Sequence, residues 1–214
     1  MLRIKAIAPL RLDDEEVERR QQRYQLLATQ GSSITLFNLI DPDAPTRLEN
    51  YEDIRRSEAL VYEEMLRTSS DAFDLILPDC VLDPAVGATF PTPVPTYGIL
   101  QLTSSALHRS ARRYLAVTRN PAIGAEFASK IRQYGYEGDL AGVATLNIDF
   151  CFISDHRGWA EAMRPTAERA QSAGVQTLVN GCSAVDIDSP MIGAVEVIDP
   201  TALALKSLPA VHVH

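Results

Sequence analysis

The sequence of 214 residues is poor in the features that direct a chain to a membrane or to an oxidising compartment. It has only three cysteines, an odd number that does not suit a disulfide framework. No apolar run approaches the roughly 20 residues that a transmembrane helix needs. The first residues also become charged too soon for a signal peptide, since Arg3 and Lys5 interrupt them. We therefore expect a cytoplasmic protein with no membrane partner.

Positive charge is also scarce. Lys and Arg number 20 against 28 Asp and Glu, which gives a formal net charge of −8. Proteins that bind nucleic acid neutralise its phosphates with basic surfaces, so we exclude nucleic acid as a partner. A glycine-rich phosphate loop and the ligand spacing of a zinc site are missing as well. We expect neither a metal nor any other cofactor.

Apolar residues make up 46% of the chain, and they fall into short runs that alternate with amphipathic segments. We expect strands at 3–8, 33–38, 74–77, 94–99, 114–117, 141–145, 176–179 and 195–198, and helices at 15–29, 52–68, 104–112, 122–134, 159–173 and 200–208. Three prolines between Phe90 and Gly98 rule out a helix there and predict an extended connector. Strands that alternate with helices predict an α/β fold of parallel sheets flanked by helices.

Two pairs of segments resemble each other in the same order along the chain. The strand and turn of 3–11 resemble those of 113–121, and segment 74–80 resembles segment 176–182, each ending in a cysteine. This repetition predicts two pseudo-symmetric lobes with the active site in the cleft between them. We assign the first lobe to residues 1–102 plus 196–214 and the second lobe to residues 103–195.

Cys80 and Cys182 each follow a buried strand at its carboxyl end. Ligands of parallel sheets bind beyond those ends, so the two thiols should face each other across the cleft. Inversion of a carbon that bears an acidic hydrogen needs a base on one face and an acid on the other. Cysteine, with an ordinary pKa of about 8.5, can serve as either. The alternative role is packing, because free cysteine is among the most buried residue types.

The residues after the cysteines indicate how their chemistry is supported. Asp83 followed by Pro84 is typical of a helix start, which predicts helix-terminal amides near Cys80 that favour a thiolate. Beside Cys182, Ser183 and neighbouring amides could hold a carboxylate or enolate oxygen.

A second set of polar side chains follows the strand 114–117. Thr118 and Asn120 could donate hydrogen bonds to substrate oxygens at that strand end. Asn120 directly precedes Pro121, so it could equally cap a helix.

Two cysteine motifs carry a resemblance to a known family. Segment 80–85 reads Cys-Val-Leu-Asp-Pro-Ala and segment 181–184 reads Gly-Cys-Ser-Ala. In these motifs, and in segments 94–99, 114–118 and 197–199, the chain resembles the aspartate/glutamate/hydantoin racemase superfamily, most closely its hydantoin-racemase-like branch. The resemblance implies a cofactor-independent racemase or epimerase, an isomerase in which the two cysteines are acid and base.

The chain departs from that branch where the substrate is held. The branch usually opens with a strand followed by Asn-Pro-Asn-Thr, and here only Pro9 is kept, with Arg11 in the place of the threonine. Val81 and Ser183 follow the cysteines directly, where amino-acid racemases of the superfamily often have Asn-Thr or Thr-His. We take as candidate substrate-binding residues Pro9, Arg11, Val81, Thr118, Asn120 and Ser183.

The substrate is expected to be a small amino-acid-derived or hydantoin-like molecule, a carboxylate or a cyclic amide. Two other reactions suit the same scaffold, namely cis–trans isomerisation resembling that of maleate isomerase and decarboxylation resembling the single-thiol arylmalonate decarboxylase branch. A non-catalytic small-molecule binding protein is the third alternative. A homo-oligomer is also expected, since dimers are common among similar proteins.

The remaining reactive side chains have more ordinary explanations. Cys151 is flanked by aromatic residues, as a core thiol would be. The polar cluster at 155–157 is assigned to helix-start capping rather than to the cleft. His108 is expected at the surface, and His212 and His214 at the chain terminus are not expected in catalysis.

Overall fold

Two sheets form the body of the fold in the computed structural model, which describes residues 1–153, 155–187 and 189–208. The strands are β1 Leu2–Ile7, β2 Ser32–Phe37, β3 Leu75–Pro78, β4 Tyr114–Thr118, β5 Leu140–Thr145, β6 Thr177–Asn180, β7 Met191–Ile192 and β8 Val195–Ile198. The first sheet has the order β2-β1-β3 and the second the order β5-β4-β6-β8-β7. Every neighbouring pair is parallel except β7 and β8. The predicted α/β class is confirmed.

Helices alternate with these strands along the chain. They are α1 Asp14–Leu27, α2 Tyr51–Leu66, α3 Ile99–Arg109, α4 Pro121–Gln133, α5 His156–Ser172 and α6 Pro200–Lys206, with a short 3-10 helix at Phe150–Ile153. Local sequence explains several of the starts. Asn50 and Asp53 form a capping box at α2, and Asn120 accepts a hydrogen bond from the amide of Ile123 ahead of Pro121 at α4.

The strand order repeats between the two sheets and confirms the internal resemblance of the sequence. β1 lies between β2 and β3, and β4 lies in the same way between β5 and β6. Cys80 follows the end of β3 by two residues, and Cys182 follows the end of β6 by two residues. The two cysteines therefore occupy equivalent positions in the two halves.

The proline-rich connector differs from its prediction. It forms a single bridge, between Ile76 and Thr96, rather than a strand over 94–99. The following helix begins at Ile99 rather than at residue 104. Its first turn is capped from a distance, because the carboxylate of Asp83 accepts hydrogen bonds from the amides of Leu100 and Gln101 at 2.9 and 2.7 Å. Local sequence cannot reveal a cap that comes from 17 residues away.

The last elements join both halves. β8 pairs with β6, with Leu178 opposite Val197, so the assigned lobe boundary at residue 196 falls inside a strand of the second sheet. α6 packs on α3, where the Thr103 hydroxyl donates to the carbonyl of Pro200 at 3.0 Å. The division of the chain into lobes at the predicted boundaries stays a prediction.

Gly181, between β6 and Cys182, lies against the neighbouring strand more closely than a side chain allows. Its amide donates to the carbonyl of Val117 at 2.7 Å. A Cβ atom at this position would lie 2.6 Å from the same oxygen and 2.7 Å from Cγ2 of Thr118. The approach of the Cys182 loop to β4 therefore requires glycine.

We expect Gly181→Ala to lower the free energy of unfolding by about 1–3 kcal/mol, because the backbone must shift to admit the methyl group. Urea unfolding followed by circular dichroism measures the change. Gly138→Ala is the matched control, since nothing lies within 4 Å of its Cβ position. A loss at position 181 no larger than at position 138 would contradict the close approach.

Candidate active site

Cys80 and Cys182 line one cavity of about 50 Å³. They come from equivalent strand ends of the two sheets, and both are free thiols. The cavity has room for only a few water molecules. The structure thus brings together the two thiols that the sequence pattern placed on opposite walls of a cleft.

Three of the six candidate substrate-binding residues, Pro9, Val81 and Ser183, line the same cavity. Arg11 lies farther out, in an adjoining pocket of about 670 Å³, and donates a hydrogen bond to the carbonyl of Pro42 at 3.2 Å. We call this wider space the outer pocket. It shares the side chains of Arg20, Phe150 and Ile153 with the inner cavity, so these three residues stand where the two spaces meet.

Thr118 and Asn120 are buried and do not line the inner cavity. The Asn120 side chain accepts from the amide of Ile123 at 2.9 Å and donates to the carbonyl of Leu48 at 2.8 Å, which uses both of its polar atoms within the protein. Of its two predicted roles, the helix cap is therefore the one that the structure shows. A contact of either residue with substrate stays a prediction.

Two arginines that were not among the candidate residues also line the inner cavity. Arg119 directly follows β4, and it forms an ion pair with Glu49 at 3.1 Å. Arg20 lies on α1 and is almost fully buried. The signal for Arg20 was present, since it stands three residues after Val17 and four before Tyr24, within the apolar stripe of the helix.

A buried charge network connects Arg20 to the residue before Cys80. Asp79 accepts hydrogen bonds from Nη1 of Arg20 at 2.9 Å and from the hydroxyl of Tyr24 at 2.7 Å. Glu16 contacts Nε of Arg20 at 2.6 Å. Burial alone would lower the pKa of Arg20, but the two carboxylates raise it above its ordinary value. Arg20 is therefore a fixed, permanently charged wall of the cavity.

Two further arginines of α1 hold the loop that carries Cys182. Arg19 donates to the carbonyl of Ala184 at 2.8 Å, and Arg23 donates to the carbonyl of Ser183. Both also pair with Asp186. The helix that follows β1 thus holds the loop that follows β6 through hydrogen bonds and ion pairs.

A family model described as Asp/Glu/Hydantoin racemase matches residues 16–208. The chain belongs to this family.

Solved structures of low sequence identity share the fold of this racemase-family protein. Allantoin racemase from Klebsiella pneumoniae is 21% identical with a TM-score of 0.81, covering 96% of this chain and 85% of that one. Allantoin racemase from Pseudomonas fluorescens is 16% identical with a TM-score of 0.80, covering 96% of this chain and 88% of that one. A mutant of arylmalonate decarboxylase is 11% identical with a TM-score of 0.60, covering 97% of this chain and 92% of that one. Among curated protein sequences, none matches the chain.

The environments of the two thiols in this racemase-family protein differ. Burial raises the pKa of Cys80 to about 12; the amide of Leu82 opposes this rise, and the charges of Asp79 and Asp83 add to it. Burial also raises the pKa of Cys182, but there the amides of the following loop and the guanidinium groups of Arg20 and Arg119 oppose the rise. The expected thiolate at a helix start near Cys80 is wrong, because no helix begins at Asp83.

Asp83 instead connects the Cys80 turn to two helices. Its backbone has a φ of +48°, a left-handed conformation that asparagine and aspartate adopt more readily than most residues. Its side chain accepts hydrogen bonds from two amides of α3 and from the hydroxyl of Tyr134, the last at 2.9 Å. Lys130 donates to the backbone carbonyl of Asp83 at 3.4 Å. Burial raises the pKa of this carboxyl to about 7, although the hydrogen bonds and Lys130 oppose the rise.

We expect the pH dependence of stability to change in Asp83→Asn. The folded carboxyl keeps its proton up to about pH 7, whereas the unfolded one loses it near 3.8. The stability that Asp83 contributes is thus full below about pH 4 and falls as the pH rises through 7. From about pH 4 to above pH 7, the free energy of unfolding of Asp83→Asn should therefore rise by on the order of 2–4 kcal/mol relative to that of the unmodified chain.

Urea unfolding at a series of pH values measures this difference. Asp43→Asn is the control, because Asp43 is an exposed carboxylate whose contact is a surface ion pair with Arg56. Asp43→Asn should leave the pH profile unchanged. Parallel profiles for Asp83→Asn and the unmodified chain would contradict the buried, protonated carboxyl.

The other polar candidates lie away from the inner cavity. Asp155 caps α5 by accepting from the amide of Gly158 at 2.8 Å, and Arg157 is exposed and pairs with Glu161. His108 is exposed, as expected of a surface residue, and it contacts Asp139. The side chains of Cys151 and His156, and residues 209–214 with both terminal histidines, lie outside what the structure describes.

Within the described ranges, no helix is both long and apolar enough to cross a membrane. The same residues contain no group of three or more His, Cys, Asp or Glu side chains placed to hold a metal ion.

Proposed function

We propose that the protein is a cofactor-independent racemase or epimerase in which Cys80 and Cys182 form the acid/base pair. The observation that carries this proposal is the presence of both thiols on one small cavity, at equivalent strand ends of two like-ordered sheets. Membership of the racemase family supports it. In a cavity of about 50 Å³, a substrate that fills the space between the sulfurs displaces the water from it.

The reaction needs one proton to leave and one to arrive. A thiolate on one side removes the hydrogen from the acidic carbon, which leaves a carbanion whose charge spreads to the adjacent carbonyl oxygen. The thiol on the other side then donates its proton to the opposite face of that carbon. The carbon is thereby inverted. The first sulfur ends as a thiol and the second ends as a thiolate. The pair is expected to titrate as a coupled unit.

The cavity favours a small substrate with an acidic carbon next to a carbonyl group. Most of its lining is apolar, and its charged side chains are Arg20, Asp79 and Arg119. A buried guanidinium group is suited to an oxygen that gains negative charge during the reaction. We propose a small carboxylate or a hydantoin-like cyclic amide, and the structural likeness to allantoin racemases makes the cyclic amide the first to test.

Two broader expectations also remain proposals. The protein is expected to act in the cytoplasm, and it is expected to form a homo-oligomer.

Cys80→Ser and Cys182→Ser should each lower the racemisation rate by about 10²-fold or more, because a hydroxyl is a far weaker base and acid at neutral pH. Polarimetry with one enantiomer of allantoin, aspartate or glutamate follows the reaction. Serine is nearly isosteric with cysteine, and circular dichroism of each variant checks the fold. A fully active single variant would overturn the two-base mechanism.

Solvent deuterium separates this reaction from the alternatives on the same scaffold. In D₂O, each inversion should place deuterium on the reacting carbon, since the donating thiol exchanges with solvent between turnovers. A cis–trans isomerisation by addition and rotation would leave that carbon unlabelled.

Decarboxylation is a second candidate, because a mutant of arylmalonate decarboxylase shares the fold. It would release carbon dioxide and leave deuterium on a carbon that has lost its carboxylate. Mass spectrometry of the product distinguishes the outcomes. A protein that binds these compounds and turns none of them over would favour the non-catalytic alternative.

A further inference from the structure

The charged side chains around the cleft are divided unequally between the two thiols. Two carboxyl groups flank Cys80 in its own turn, and the guanidinium groups of Arg19 and Arg23 contact the loop of Cys182. This asymmetry is unexpected from the near-symmetric strand order of the two halves.

On the Cys80 side, Asp79 precedes the thiol directly and Asp83 follows three residues later. Both carboxyl groups are almost completely inaccessible to solvent. A negative charge on Cys80 would lie close to both of them, and Coulomb repulsion in a buried site opposes it. The repulsion from Asp83 sets in where its own carboxyl ionises, above about pH 7. The amide of Leu82, 3.4 Å from Sγ of Cys80, is the hydrogen-bond donor that offsets this repulsion.

Arg20 and Arg119 line the inner cavity together with both thiols. Arg119 directly follows β4, which pairs with β6, the strand that leads to Cys182. Arg20 comes from α1 and Arg119 from the end of β4, so two different elements present positive charge to one site. Their counter-ions, Glu16 and Glu49, are partly exposed, with side-chain exposures of 25% and 39%. Solvent screens exposed charges more strongly than buried ones, so Glu49 offsets the charge of Arg119 only in part. Asp79, the buried partner of Arg20, is the opposing charge.

We propose that Cys182 is the more acidic thiol of the pair, so that it forms the thiolate and acts as the base while Cys80 keeps its proton and acts as the acid. Arg20 and Arg119 are the positioning cations that stabilise the charge on Cys182. This inference deepens the proposed function and rests on it, because acid and base are roles in the proposed reaction. Burial raises the pKa of both thiols, but the guanidinium groups of Arg20 and Arg119 oppose the rise at Cys182, whereas the charges of Asp79 and Asp83 add to it at Cys80.

The assignment fixes the order of proton transfers. The protein with its thiolate at Cys182 accepts the enantiomer whose acidic hydrogen faces Cys182, and the carbon receives its new hydrogen from Cys80. One turnover leaves Cys182 as a thiol and Cys80 as a thiolate. The first protonation state returns when Cys182 releases one proton and Cys80 takes one up, with no other reactant required.

The test is the pH dependence of alkylation at each cysteine in the full chain. Iodoacetamide reacts with thiolates, and peptide mass spectrometry measures the labelling of Cys80 and Cys182 separately, from about pH 6 to about pH 10. Each rate is scaled to the highest rate of the same residue, which removes the difference in accessibility. We expect Cys182 to reach half of its highest rate at a lower pH than Cys80. An equal or reversed order would overturn the proposal.

Variants of the two arginines separate an electrostatic role from a structural one. Arg119→Gln should slow the labelling of Cys182 at pH 8 by about threefold to tenfold, and Arg119→Lys should restore most of the rate, since it keeps the charge. Arg20→Gln and Arg20→Lys make the same comparison. Because the Glu49 partner of Arg119 is partly exposed, the Arg119 pair decides the matter if Arg20→Gln does not fold. Unchanged labelling of Cys182 in folded Arg119→Gln would overturn the role of the cation.

Arg67→Gln is the control, because it removes one positive charge from an exposed surface position. It should leave both labelling profiles unchanged. The labelling needs no turnover, so its outcome is independent of the racemisation assay. A low-pH thiolate at Cys182 without racemase activity would defeat the proposed function alone, and racemase activity with Cys80 as the low-pH thiolate would defeat this inference alone.

Discussion

The buried pair of Arg20 and Asp79 is the interaction on which the cleft depends. It joins the middle of α1 to the residue that precedes Cys80, and Tyr24 adds a second hydrogen bond from the same helix. The loss of one partner of such a pair leaves an uncompensated buried charge, which costs about 3–5 kcal/mol. With its neighbours Arg19 and Arg23 bonded to the Cys182 loop, α1 contacts both walls of the cavity. One helix thus holds the two thiols in a common frame.

The fold was predictable from the sequence wherever the pattern was local. Short apolar runs and caps such as Asn50 and Asn120 define strands and helix starts that the structure reproduces within a few residues. The segment from 94 to 109 was not predictable in this way. Its helix is capped by Asp83 from an earlier turn, and its extended part pairs through one bridge only. Both facts depend on tertiary contacts that periodicity does not encode.

The candidate site shows the same division. The cysteines were identifiable because each follows a buried strand, and strand ends converge in parallel sheets. Arg20 and Arg119 were missed because a charged residue on a helix or after a strand usually faces solvent. Only the packing of α1 across both halves makes these two arginines part of one cavity. Asp83 was identified as a helix cap, correctly in kind, but it caps α3 rather than a helix of its own.

The contacts that α1 makes with the Cys182 loop and with the start of α6 span most of the chain. Arg19 and Asp186 are separated by 167 residues, and Arg23 and Asp199 by 176. Closing loops of this length costs chain entropy that only the assembled sheets can offset. A folding intermediate with one complete sheet would therefore present a single cysteine at a strand end, without its partner. The two thiols face one cavity only once both sheets have assembled, so the cleft reports on completed folding.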